Sequence, residues 1–123
     1  MKATLRPTVA ADFIALQGKL PPYRTRCITA VLGDQVIGIG GLVFYPGGTV
    51  AVSALIKEEL RRRPVTLHRA GLRVMADAEQ LGIAEIVGEP QPDNPAAERW
   101  MERCGFTRVE VEGRPIFFWR RGR

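Results

Sequence analysis

The sequence predicts one α/β domain spanning residues 1–123, in which helices cover a mixed β-sheet. Three observations predict it. Runs rich in β-branched residues, "CITAVL", "QVIGIGGLVFY" and "TVAVSALI", follow one another across the short turn signals "GDQ" and "PGG". A long helical pattern then separates "TVAVSALI" from a further apolar run, "IAEIVGE". A second helical pattern leads into "FTRVEV" and "RPIFFWR", which flank "EGR" as a hairpin.

Taken in order, "KATLRP" reads as a first strand. Thr8 is placed to cap a short helix with Asp12 in its first turn and Val9, Phe13 and Leu16 on its inner face, and Leu20, Pro21 and Pro22 stop it. "GKLPPYRTR" is then a loop. "QVIGIGGLVFY" is apolar at both alternating sets of positions, which marks a central strand. From Pro64 to Leu81 the residues Leu67, Gly71, Val74, Ala78 and Leu81 recur at helical spacing, flanked by Leu72 and Met75, while Arg69, Arg73, Asp77 and Gln80 take the opposite face. Pro64 suits a first helical turn, where its missing N–H costs nothing, and Gly82 suits the stop. "PQPDNP" breaks the strand "IAEIVGE"; Asn94 and Pro95 form a cap and first-turn pair for a helix carrying Ala97, Trp100, Met101 and Cys104 on one face, and Gly105 closes it. The order is β-α-β-β-β-α-β-α-β-β.

At 46% hydrophobic and 25% charged residues, the chain has the balance of a globular protein, not of a disordered or fibrous one. No apolar run approaches the roughly 20 residues of a membrane span, and "MKATLRPTVAADF" lacks the apolar core of a signal peptide, so the expectation is a cytoplasmic protein without membrane association. Cys27 and Cys104 are too few for a disulfide framework and are read as reduced and buried; with His68 the single histidine, no metal site is expected. The formal charge of +5 suits a polyanion, and much of it is local, in Arg61, Arg62 and Arg63 and in Arg120, Arg121 and Arg123.

The segment "DNPAAERWMERCGF" resembles the last conserved segment of the GNAT-type N-acetyltransferases, with Asn94, Ala97, Trp100, Gly105 and Phe106 at the matching positions. The remaining segments follow that superfamily's order over almost the whole chain. The resemblance implies a compact GNAT-like (acyl-CoA N-acyltransferase) fold, acetyl-CoA as co-substrate, and an amine-bearing small molecule or protein as acceptor. In the family a basic, glycine-rich loop before the long helix cradles the pyrophosphate of coenzyme A. Aligned on Gly82, its basic position falls on Arg62 and its two small positions on Val65 and Leu67, so the glycines are missing. A helix N-terminus still offers N–H donors and a positive dipole end. Arg61, Arg63, His68 and Arg69 add charge or donors around it, and Thr66 adds a hydroxyl.

The resemblance further implies that the thioester lies between "VSALI" and "IAEIVGE", with a backbone N–H near Leu55 polarising its carbonyl and the backbone of Leu55 and Ile56 pairing with the pantetheine arm. The family's tyrosine acid is replaced by Met101, and Tyr23 and Tyr45 fall elsewhere. Glu85 and Glu89 are candidates for a base acting through water, or else solvated strand ends; Ser53 orients an amine or a water, or is simply bonded to backbone. Trp100 lines the pantetheine channel or packs the core, and Trp119 packs the last strand. One helix, where the family has two, precedes "CITAVL", leaving the acceptor side open or completed by a partner chain. Two rival readings stand: a catalytically inactive GNAT-fold binding or assembly protein, and a basic nucleic-acid binder, the latter without a recognisable motif. Exposed strand edges at the C-terminal hairpin allow a homodimer.

Overall fold

The computed structural model describes residues 2–90 and 95–122. Its elements are β1 (Ala3–Pro7), α1 (Ala10–Gln17), β2 (Arg24–Leu32), β3 (Gln35–Phe44), β4 (Val50–Ile56), α2 (Glu58–Arg61), α3 (Pro64–Gln80), β5 (Glu85–Gly88), α4 (Pro95–Arg103), β6 (Thr107–Val111) and β7 (Arg114–Arg120). The strands form one sheet in the order β1-β2-β3-β4-β5-β7-β6. Every neighbouring pair is antiparallel except β4 and β5, which are parallel and joined through α3.

The period-2 alternation of the strands sorts the two faces. Ile28, Leu42, Ile86, Phe117 and Trp119 meet Val74 and Ala78 of α3 and Met101 of α4 in the main core. The opposite face of β2 presents Thr29 to Asp12 of α1. A smaller cluster of Ala30, Ile37 and Leu60, with Ile56 and Leu67 packed against it, joins α2 and the start of α3 to the sheet.

Three local outcomes differ from the sequence reading. Val9, not Thr8, occupies the cap position of α1. Asp12 turns inward to accept the Val9 N–H at 2.9 Å, while Thr8 Oγ1 bonds Thr29 Oγ1 at 2.8 Å, so Val9 is left exposed and a carboxylate takes its inner place. β2 begins at Arg24, within the expected loop, because "RTR" continues the ladder opposite Leu42, Val43 and Phe44. The third difference is α2, a single turn with Glu58 and Glu59 at its positive end and Leu60 buried. Gly38 is what admits it, since a Cβ there would overlap the Leu60 side chain.

Candidate functional site

The parallel pair is joined at one register position, Ala51 opposite Val87, although β4 continues five residues further to Ile56. Beyond that bridge the strands part. Backbone direction along β4 follows from the bonds at its two ends, Tyr45 N–H to Thr49 O and Lys57 N–H to Ile37 O, together with an unbroken register between them. Antiparallel pairs alternate between bonded and non-bonded, so Ala51, Ser53 and Leu55 direct their N–H and C=O groups to β3. Val52, Ala54 and Ile56 direct theirs to the β5 side, and past the bridge Ala54 and Ile56 meet no strand among the described residues. The opening is thus lined on one wall by unpaired backbone.

Its floor is apolar. A Cβ on Gly88 would stand 3.0 Å from Met101 Sδ and 3.1 Å from Val52 Cγ1, so those side chains close the base of the opening from the α4 side. Met101 is buried there, with no hydroxyl to offer. Burial pushes the thiols of Cys104 and Cys27 above the ordinary thiol value, which keeps both neutral at physiological pH.

At the mouth stands the start of α3. Arg63 caps it without a side-chain bond, Pro64 has no N–H, and the Leu67 N–H is bonded to Arg63 O at 3.0 Å. The N–H groups of Val65 and Thr66 are left without a partner among the described residues. Around them Arg61 and Arg69 are exposed and Arg63 and His68 half-buried, with none of the four in an ion pair among the described residues. Arg62 reaches Glu58 at 3.7 Å across open solvent. Such an exposed pair contributes little and leaves the guanidinium accessible.

Several predicted site residues stand elsewhere. The Leu55 and Ser53 backbones face β3, one residue out of step with the opening, and the Ser53 side chain is exposed on the α1 face. Glu85 precedes the bridge, on the closed side of the pair, and its carboxylate accepts from Arg120 Nε at 2.7 Å. Glu89 lies at the open end and is paired with Arg114 at 2.6 Å. Leu67 turns its side chain to the smaller core cluster, so it packs instead of cradling. Trp100 lies across Gly71, where a Cβ would overlap its ring, and its Nε1 is buried with no partner among the described residues; packing between α3 and α4 is its visible role. Asn94 lies outside the described residues. Tyr23 and Tyr45 pack against each other at a tilt of 57°, ring centres 4.9 Å apart, at the β4 end opposite the opening. The backbone donors at Ala54, and the shift from Leu55, escaped sequence reasoning because period-2 parity fixes direction only once the register is known.

A mixed sheet whose parallel pair opens beside the N-terminus of a long helix defines the class of fold. Compared with solved structures, it is the fold of GNAT-superfamily acetyltransferases. An N-acetyltransferase from Staphylococcus aureus superposes with a TM-score of 0.77 at 10% identity, covering 98% of this chain and 99% of that one. A GNAT-superfamily phosphinothricin acetyltransferase from Sinorhizobium meliloti, in complex with acetyl-CoA, gives 0.73 at 16% identity over 98% and 89% of the two chains. An acetyltransferase from Bacillus subtilis in complex with CoA gives 0.64 at 18% identity over 95% and 96%. No family model and no curated protein matches the sequence. No helix among the described residues is long and apolar enough to cross a membrane.

Proposed function

We propose that the chain is an N-acetyltransferase that takes its acetyl group from acetyl-CoA and gives it to an amine. The observation that carries this reading is the coincidence of two backbone surfaces without partners among the described residues, the edge of β4 at Ala54 and Ile56 and the N-terminus of α3 at Val65 and Thr66. An extended arm with amide groups, ending in a pyrophosphate, fits both surfaces in sequence. Arg61, Arg62, Arg63 and Arg69 supply the opposing charge, and His68 stands on the phosphate side.

Acetyl transfer forms an amide C–N bond as a thioester C–S bond breaks, and negative charge gathers on the carbonyl oxygen in between. With the phosphates at α3, the arm pairs first with Ile56 and its acyl end lies nearer the bridge. The Ala54 N–H is the donor to that oxygen. The Met101 and Val52 floor keeps the thioester dry. Val65, at 68% exposure, projects into solvent and leaves the helix N–H groups accessible without the family's glycines. With Met101 in place of a tyrosine, the leaving thiolate takes its proton from water, and the amine must reach the site unprotonated.

The acceptor approaches over the α1 face, where α1 packs against β3 and no helix among the described residues makes a comparable contact with β5, β6 or β7, so a protein surface is accommodated as readily as a small amine. We infer a cytoplasmic location, a reading supported by the charged, globular composition of the chain. Titration calorimetry with acetyl-CoA and with acetyl-pantetheine tests the proposal. Micromolar binding of acetyl-CoA that weakens about tenfold or more in Arg63→Ala, and with the phosphate-free analogue, supports it. No binding to folded protein would overturn it and favour an inactive binding protein of the same fold.

A further inference from the structure

β6 is the outer strand of the sheet, and all five of its residues are exposed. Exposed edges are ordinarily guarded by proline, lysine or a bulge. The opposite edge, β1, ends on Pro7 and is preceded by Lys2. β6 reads T-R-V-E-V and its ladder with β7 runs without a register shift.

The direction of its backbone is fixed by the turn that follows. Glu112 and Gly113 have φ of 51° and 79°, and they connect Val111 to its partner Arg114 as a two-residue type I′ loop. The closing pair of such a hairpin is hydrogen-bonded, so Thr107, Val109 and Val111 bond inward to β7. Pro115, which has no N–H, stands opposite Glu110 and agrees with that parity. Arg108 and Glu110 therefore point their N–H and C=O groups outward.

That edge is complementary to itself. When T-R-V-E-V is laid antiparallel on a second copy about Val109, Arg108 falls opposite Glu110, Thr107 opposite Val111, and Val109 opposite Val109. The outward backbone groups of residues 108 and 110 are then the ones that bond, and the two-fold axis passes through a non-bonded pair, where side chains approach most closely.

We propose that the chain forms a two-fold symmetric dimer by β6 to β6 pairing centred on Val109, joining the two sheets edge to edge. On the α4 face Arg108 already lies 2.8 Å from Glu110 of its own strand and 3.3 Å from Glu98. The partner's Glu110 extends this into an alternating cluster of charges. On the other face Val109 and Val111, 43% and 46% exposed, continue with Ile116 and Phe118 into an apolar strip against which no helix among the described residues packs extensively. The dimer buries the outer end of that strip.

Sedimentation equilibrium and light scattering across a concentration series read the association directly. The wild-type protein is expected at twice the chain mass. Arg108→Glu sets two carboxylates opposite each other, and Glu110→Arg two guanidinium groups, so each single variant is expected to dissociate at least about tenfold more readily. An equimolar mixture of the two is expected to form a heterodimer, and the double variant R108E/E110R to dimerise again, because both restore opposite charges. The exposed positions leave the fold intact, checked by thermal melting. A monomeric wild type, single variants that associate as tightly as wild type, or a mixture that stays monomeric would each overturn the proposal.

Discussion

Asp12 offers a quantitative test of how α1 is held against the sheet. Its carboxylate, 4% exposed, accepts from both terminal nitrogens of Arg6, at 2.6 and 2.9 Å, from the Val9 N–H and from Thr29 Oγ1. The Arg6 bonds, opposed by burial and helped by Val9 and Thr29, hold its pKa down at about 2, against 3.8 in the unfolded chain. That difference corresponds to about 2 kcal/mol of stability at neutral pH. Because the folded value is the lower one, the contribution is complete well above pH 3.8 and is lost as pH falls through 2. At pH 3 about 1 kcal/mol of it has gone. Asp12→Asn removes the titration. Urea unfolding of wild type and Asp12→Asn should therefore show a gap of about 2 kcal/mol at pH 7 that narrows by about 1 kcal/mol at pH 3. A gap that stays constant over that range would show that the network does not hold the carboxylate and that α1 is fixed to the sheet by other contacts.

Gly71→Ala drives a Cβ into the Trp100 ring and is expected to destabilise the protein by about 1 to 3 kcal/mol despite alanine's better helix propensity; Trp100→Leu in the same chain should recover most of the loss in a denaturant melt. Hydrogen exchange should find the Ser53 and Leu55 amides protected in the free protein and the Ala54 and Ile56 amides fast, with acetyl-CoA slowing the latter pair; the reverse pattern would refute the assigned β4 parity. Because burial raises their pKa values, Cys27 and Cys104 should react slowly with a thiol reagent near neutral pH in the native state and fully on unfolding.

What the sequence made legible was whatever rests on periodicity and punctuation. The 3.6-residue repeat of Leu67, Gly71, Val74 and Ala78 and the brackets Pro64 and Gly82 define α3 almost to the residue, and the hairpin turns at Gly33–Asp34 and Glu112–Gly113 announce themselves. Features set by tertiary choice did not show. Leu60 makes α2 a helix by burying itself over Gly38, a partner distant in sequence. Asp12 lies inward because Arg6 and Thr29 meet it there, although a carboxylate in a first turn ordinarily reads as surface.

The candidate site divides along the same line. Its charge is written locally, in three consecutive arginines before a proline. Its chemistry depends on which way a peptide group points, and that is a property of register. Register parity alone moves the candidate donor from Leu55 to Ala54, with no change in the amino-acid sequence. For that reason substitution at Ala54 tests the site poorly: the backbone donor survives any side chain that fits. The glycine-poor start of α3 follows the same logic from the other side. The Val65 side chain points to solvent, so the helix keeps its free N–H groups with a bulky residue in place. A motif that requires glycine for access is dispensable wherever the helix geometry already provides that access.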